Sequence, residues 1–109
     1  MSALTLDSKY VDILSSLGDL KVNLEEAVRR YGVEQIGERI ARLQREISGF
    51  QTQYSMPYEI FYARVTTDEE FVRGLRRNHP TWERDFQTWG YYVEEMSEWL
   101  GRLESISRP

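Results

Sequence analysis

The chain has no cysteine and a single histidine, His79. Disulfides, thiol catalysis and cysteine-based metal sites are therefore excluded, and a metal site would have to be built mostly from carboxylates. His79 stands between Asn78 and Pro80, the setting of a turn residue more than of a catalytic one. Lysine is nearly absent as well: Lys9 and Lys21 are the only two, so the cations are almost all arginines, which suit oriented, paired contacts. No apolar run approaches the roughly 20 residues that span a bilayer. The start, MSALTLDSKY, lacks the basic head and apolar stretch of a signal peptide. A cytoplasmic location is the expectation. The glycines at 18, 32, 37, 49, 74, 90 and 101 are scattered and make no phosphate loop. The acids Glu25-Glu26, Asp68-Glu69-Glu70 and Glu94-Glu95 lack the Glu-x-x-His spacing of di-metal bundles. No enzyme, cofactor, metal or small-molecule substrate is expected.

What is present is helical patterning in a chain of 109 residues. That length makes one compact unit or two very small ones, and leaves much of a core exposed unless the chain pairs or docks. The net charge of −4 argues against a simple nucleic-acid coat. The charge is also uneven. Residues 1–28 hold two lysines against five acids, residues 29–45 five arginines against two glutamates, and residues 85–109 two arginines against five acids. A basic middle thus lies between two acidic ends.

Residues 3–6, Ala-Leu-Thr-Leu, alternate as a very short strand does. Asp7 then caps a helix whose Tyr10, Ile13, Leu14 and Leu17 share a face and which Gly18 ends. Asn23 with Glu26 reads as a capping box for a second helix, lined by Leu24, Ala27, Val28 and Tyr31. Gly32 either interrupts that helix or merely weakens it. Val33, Ile36, Ile40, Leu43, Ile47, Phe50 and Tyr54 then form a heptad seam, closed by Met56-Pro57. A short helix follows over 57–64 with Pro57 at its first position, and another opens at Thr67 with Glu70. After the break at Asn78-His79-Pro80, Thr81 starts the last helix. Its seam runs through Trp82, Phe86, Trp89, Val93, Met96, Leu100, Leu103 and Ile106, with Tyr91, Tyr92 and Trp99 beside it. Heptads alone do not decide whether these seams pair within a chain, across a dimer or on a partner.

A lone short strand has no partner within its own chain. The stretch Leu4-Thr5-Leu6, followed by YVDILSSLG at 10–18 and NLEEAVRRY at 23–31, resembles a ribbon–helix–helix domain of the MetJ/Arc type, a β-ribbon reader of DNA. The resemblance implies a mainly α fold in which the strand forms an intermolecular β-ribbon beneath helices, within an obligate homodimer. It implies operator DNA as a partner, touched by Ala3 and Thr5 on the ribbon, Lys9, Asn23 at a helix start, and Arg29 and Arg30. The segments QYSMPYEIFY at 53–62 and WERDFQTW at 82–89 are similar to small bacterial antitoxin-type proteins that carry a Tyr-Gly-Met-Ser-x-Glu-x-Phe motif. Ser55 stands here for the Gly and Pro57 for the Ser. Together the two resemblances imply an antitoxin of a type II toxin–antitoxin system: a dimerisation module over 1–48 and a partner-binding region over 49–109 that blocks a cognate toxin and represses its own operon.

Trp, Tyr and Arg dominate binding hot spots, so Tyr58, Phe61, Tyr62, Trp82, Phe86, Trp89, Tyr91, Tyr92 and Trp99 are the expected partner-binding residues. For Trp82 and Trp89 a plain core role is favoured. The acids Asp85, Glu94, Glu95, Glu98 and Glu104 would complement the basic surface of an RNA-attacking toxin. Two other readings stand beside this one. The first is a helical dimeric scaffold without DNA binding. The second is a nucleic-acid binder acting through Arg29, Arg30, Arg39, Arg42 and Arg45.

Overall fold

The computed structural model describes residues 5–108. They form five helices: α1 (Ser8–Ser16), α2 (Leu20–Tyr54), α3 (Tyr58–Thr67), α4 (Glu69–Asn78) and α5 (Trp82–Ser107). No strand occurs among the described residues, and the expected β-ribbon is not formed. Thr5 and Leu6 lead directly into the start of α1. There the Asp7 carboxylate accepts from Lys9 N at 3.4 Å and the Asp7 carbonyl accepts from Tyr10 N at 3.0 Å. The cap at Asp7 forms where expected, and the four positions ahead of it are fewer than the roughly five or six usual in a strand. Ala3 and Leu4 lie outside the described residues.

Two caps fall one or more residues from their expected places. Asp19, not Asn23, caps α2 and accepts from Val22 N at 3.0 Å. Asn23 sits inside the first turn, and its Nδ2 donates to the Leu14 carbonyl at 2.9 Å. It thereby adds a second donor to a carbonyl in the last turn of α1 that already accepts from Leu17 N at 3.3 Å. The turn between the helices is tight, with Gly18 at φ +138°, a conformation that side chains disfavour. Likewise Asp68, not Thr67, caps α4, accepting from Phe71 N at 3.1 Å. The Thr67 hydroxyl donates back to the Ala63 carbonyl at 2.6 Å instead, so Thr67 closes α3 rather than opening α4. Pro57 stands one position before the first residue of α3, at its N-cap.

Gly32 does not interrupt α2, which runs unbroken for 35 residues and crosses the unit boundary drawn at 48/49. A side chain at Gly32 would collide with Ile106 Cδ1 of α5. The weakened helix propensity, about 1 kcal/mol, is offset by a close helix–helix approach.

α2 and α5 pack as an antiparallel hairpin. Near the open end Gly32 meets Ile106. Midway Arg39 lies over Trp99. Near the closed end Phe50 stacks on Trp89 at 5.6 Å, and the Tyr54 hydroxyl donates to Asp85 Oδ2 at 2.6 Å. α3 and α4 fold back over this closed end, where Tyr54, Phe61, Leu75 and Trp89 form the core. Farther along, only two helices cover each other. Ile36, Ile40 and Leu43 are buried there, while the facing Met96, Leu103 and Ile106 stay half-exposed. The molecule measures 67 × 24 × 24 Å, with a radius of gyration of 21.5 Å, against about 13 Å for a compact chain of this length. It is a long arm with one filled end.

Candidate interaction surfaces

The aromatic residues proposed for partner binding separate into two groups. Phe61 and Trp89 have 0% of their surface exposed. The Trp89 indole lies in a knot of rings: Phe50 and Tyr54 stack nearly parallel to it at 5.6 and 5.9 Å, Phe61 lies at 5.2 Å, and Tyr58 stands edge-on at 5.4 Å. Phe86 joins through Phe61 at 5.6 Å and Tyr58 at 5.7 Å, and Trp82 extends the row to Phe86 at 6.4 Å. These side chains hold the closed end together. Only Tyr62 and Tyr91 of the nine are more than half-exposed. Tyr92 is half-buried beside Phe50.

Trp99 has a different environment. Its ring is flanked by the Arg39 guanidinium at 5.1 Å and that of Arg102 at 4.4 Å, and its Nε1 donates to Glu95 at 3.4 Å. With Tyr91, Glu94, Glu98 and Arg102 it lines a shallow groove of about 230 Å³ on α5. Three of the acids expected to face a basic partner thus share a surface with two aromatics singled out for binding.

At the knot, Asp85 accepts from three groups: the Tyr54 hydroxyl, Gln53 Nε2 at 3.2 Å and the Thr81 hydroxyl at 3.4 Å. Asp85 is therefore engaged structurally and not free for a partner. Burial, then the hydrogen bond and negative charge of Asp85, push the Tyr54 hydroxyl well above its usual range. Burial and neighbouring Tyr62 push Tyr58 up as well. Both shifts favour neutral phenols, so neither group is poised to exchange protons near neutrality. His79 packs against Tyr54 with ring centroids 4.8 Å apart and the rings tilted by 50°, as a packed turn residue. Among the described residues no three His, Asp or Glu side chains are grouped to hold a metal, and no helix is long and apolar enough to cross a membrane.

The residues assigned to DNA are not gathered into one site. Thr5 is exposed and not in a strand. Lys9 reaches over its neighbour Tyr10, Nζ to centroid 5.2 Å. Asn23 is used on Leu14, and Arg29 and Arg30 both pair with Glu26, at 3.5 and 3.0 Å. With the ribbon absent, Thr5 loses the platform that would carry it to a base edge.

Sequence reasoning missed one surface. α1 and the first three turns of α2 bury none of their residues. Ile13 is 58% exposed, Leu17 73%, Val28 59% and Tyr31 67%. The periodicity was visible in the sequence. That no other described residue covers it was not.

No protein-family model, curated protein or solved structure matches this chain.

Proposed function

We propose that this protein is a non-enzymatic binding module that acts by laying the acidic, aromatic face of α5 against a basic surface of another protein. The observation that carries this reading is the groove of Tyr91, Glu94, Glu95, Glu98, Trp99 and Arg102. It lies on the outside of a helix whose inner side is already committed to α2. Its carboxylates give charge for steering and register. Its aromatics give contact area at low entropic cost, in the manner of binding hot spots. The rigid hairpin behind it presents the face without prior ordering, which lowers the cost of association. A toxin that attacks RNA needs a basic surface, and such a toxin is the partner class to which the antitoxin resemblance points. Inhibition would then consist of covering that surface. Repression of an operon has no part in this reading, because the ribbon that would read DNA is not formed.

Co-expression with the protein encoded beside this one is the test. The reading expects a complex stable to gel filtration and relief of any growth arrest that the neighbour causes alone. Glu94→Lys with Glu98→Lys should weaken the complex at least about tenfold while circular dichroism stays unchanged. A complex of undiminished strength in that double variant would rule out the α5 face.

A further inference from the structure

The apolar stripe of α2 changes sides along its length. At about 100° per residue, Leu20, Leu24, Ala27, Val28 and Tyr31 lie roughly 150° around the helix from Val33, Ile36, Ile40, Leu43 and Ile47. The second set faces α5. The first set looks away from it, and α5 ends where Ile106 meets Gly32. One continuous helix therefore carries two apolar faces, of which only one is covered. α1 packs only on the start of α2, where Asn23 donates to Leu14 and Leu24 is half-buried; among the described residues Val28 and Tyr31 stay uncovered, and Tyr10, Ile13 and Leu17 of α1 are themselves more than half-exposed.

We propose that α1 and the first three turns of α2 form a self-association surface, occupied by the same surface of a second copy of this chain with the two α2 helices antiparallel. Three observations select this occupant. The first is area. Leu6, Tyr10, Ile13, Leu17, Val28 and Tyr31 together expose on the order of 700 Å² of side chain, close to the ~800 Å² per partner of a stable interface. The second is the whole molecule: its accessible surface is 8489 Å², against about 6300 Å² for a compact monomer of this mass. The third is charge. Residues 7–26 carry five acids against two lysines, and residues 29–45 five arginines against two glutamates. Antiparallel pairing about the middle of the stripe brings Asp19 at the start of each α2 toward Arg29 and Arg30 of the other copy, whose pairs with their own Glu26 are solvent-exposed and can be shared. Parallel pairing sets like on like. A two-fold axis satisfies both halves at once, as an isologous interface requires. DNA is disfavoured as the occupant by the apolar side chains and the acids. This surface is separate from the α5 groove, and each can fail without the other.

Sedimentation equilibrium of the full chain tests it. A dimer is expected at about 100 µM, with Ile13→Asp and Tyr31→Glu each raising the dissociation constant at least about tenfold. Both positions are exposed, so the helical signal and the shielding of Trp89 should not change. The absence of native cysteine makes orientation readable. Ala27→Cys should crosslink to itself under mild oxidation. Leu20→Cys and Tyr31→Cys should crosslink to each other in a mixture but not to themselves. A monomeric wild type, a dimer that survives both charged variants, or self-crosslinking at position 20 would overturn the proposal.

Discussion

The Tyr54 hydroxyl donates to Asp85 Oδ2 across 2.6 Å, tying the last turn of α2 to the first turn of α5. The bond lies where α3 and α4 converge on the hairpin, and it sets how the hairpin closes. Tyr54→Phe removes it and leaves Asp85 with Gln53 and Thr81, at a cost of about 1–2 kcal/mol in chemical denaturation. The pH dependence has a definite sign. Folding holds the phenol neutral and raises its pKa above the unfolded value near 10. As pH rises past ~10, the unfolded chain gives up this proton and the folded one keeps it, so stability is complete below that pH and declines above it. The slope from one such group is at most about 1.4 kcal/mol per pH unit. Denaturation between pH 8 and 11 should show a steeper alkaline loss in the wild type than in Tyr54→Phe.

Glycine at 90 and glycine at 37 should respond oppositely to alanine. Both are helical, and an exposed helical Gly→Ala change ordinarily stabilises by about 1 kcal/mol. At Gly37 no atom lies within 4 Å of the new Cβ, so that gain should appear in full. At Gly90 the Tyr58 hydroxyl would lie 2.6 Å from it. Tyr58 is held edge-on to Trp89 and stacked on Phe86, so it can yield only by loosening the knot. Gly90→Ala should lower the melting temperature while Gly37→Ala raises it.

Ser55 closes α2 with φ 59° and ψ 32°, the sole non-glycine residue with positive φ among those described. A left-handed C-terminal residue favours glycine, and a side chain there is strained by roughly 1 kcal/mol. Ser55→Gly should therefore stabilise the protein by about 0.5–1 kcal/mol, measured as a shift in urea midpoint without a change in slope.

The long periodic segments were the legible part of the fold. The seams from Val33 to Tyr54 and from Trp82 to Ile106 fall on helices as their spacing requires, because over about six or seven turns a period of three and four has no other reading. Caps were less legible. Asp19 and Asn23, or Thr67 and Asp68, are chemically able to do the same work, and the choice depends on where the chain turns back. The strand at 3–6 rested on four residues, too few for alternation to be decisive. Among the site residues, composition singled out the aromatics of the second half but could not separate Trp89, which fills the knot, from Tyr91, which faces outward. That distinction is set by α3 and α4 folding over one end. The uncovered stripe ending at Tyr31 was readable as a stripe. Its position opposite the α5 seam follows only once α2 is known to continue through Gly32.

Trp89 gives the most direct reading of whether the closed end is assembled. It is the largest fully buried side chain, and its indole N–H has no hydrogen-bond partner in the structure. Two effects therefore oppose each other on substitution. Trp89→Ala empties the middle of the ring cluster and should cost about 3–5 kcal/mol, a large part of the 5–15 kcal/mol that typically holds a domain together. Trp89→Phe leaves a smaller void and also removes a buried donor without a partner, whose burial costs about 1–3 kcal/mol. Its loss should be well under half that of Trp89→Ala in guanidinium denaturation. Fluorescence separates this effect from simple unfolding. With Trp82 and Trp99 replaced by phenylalanine, the remaining indole should emit at short wavelength and resist quenching by iodide. Ready quenching of that single tryptophan would mean that α3 and α4 do not cover the knot in solution.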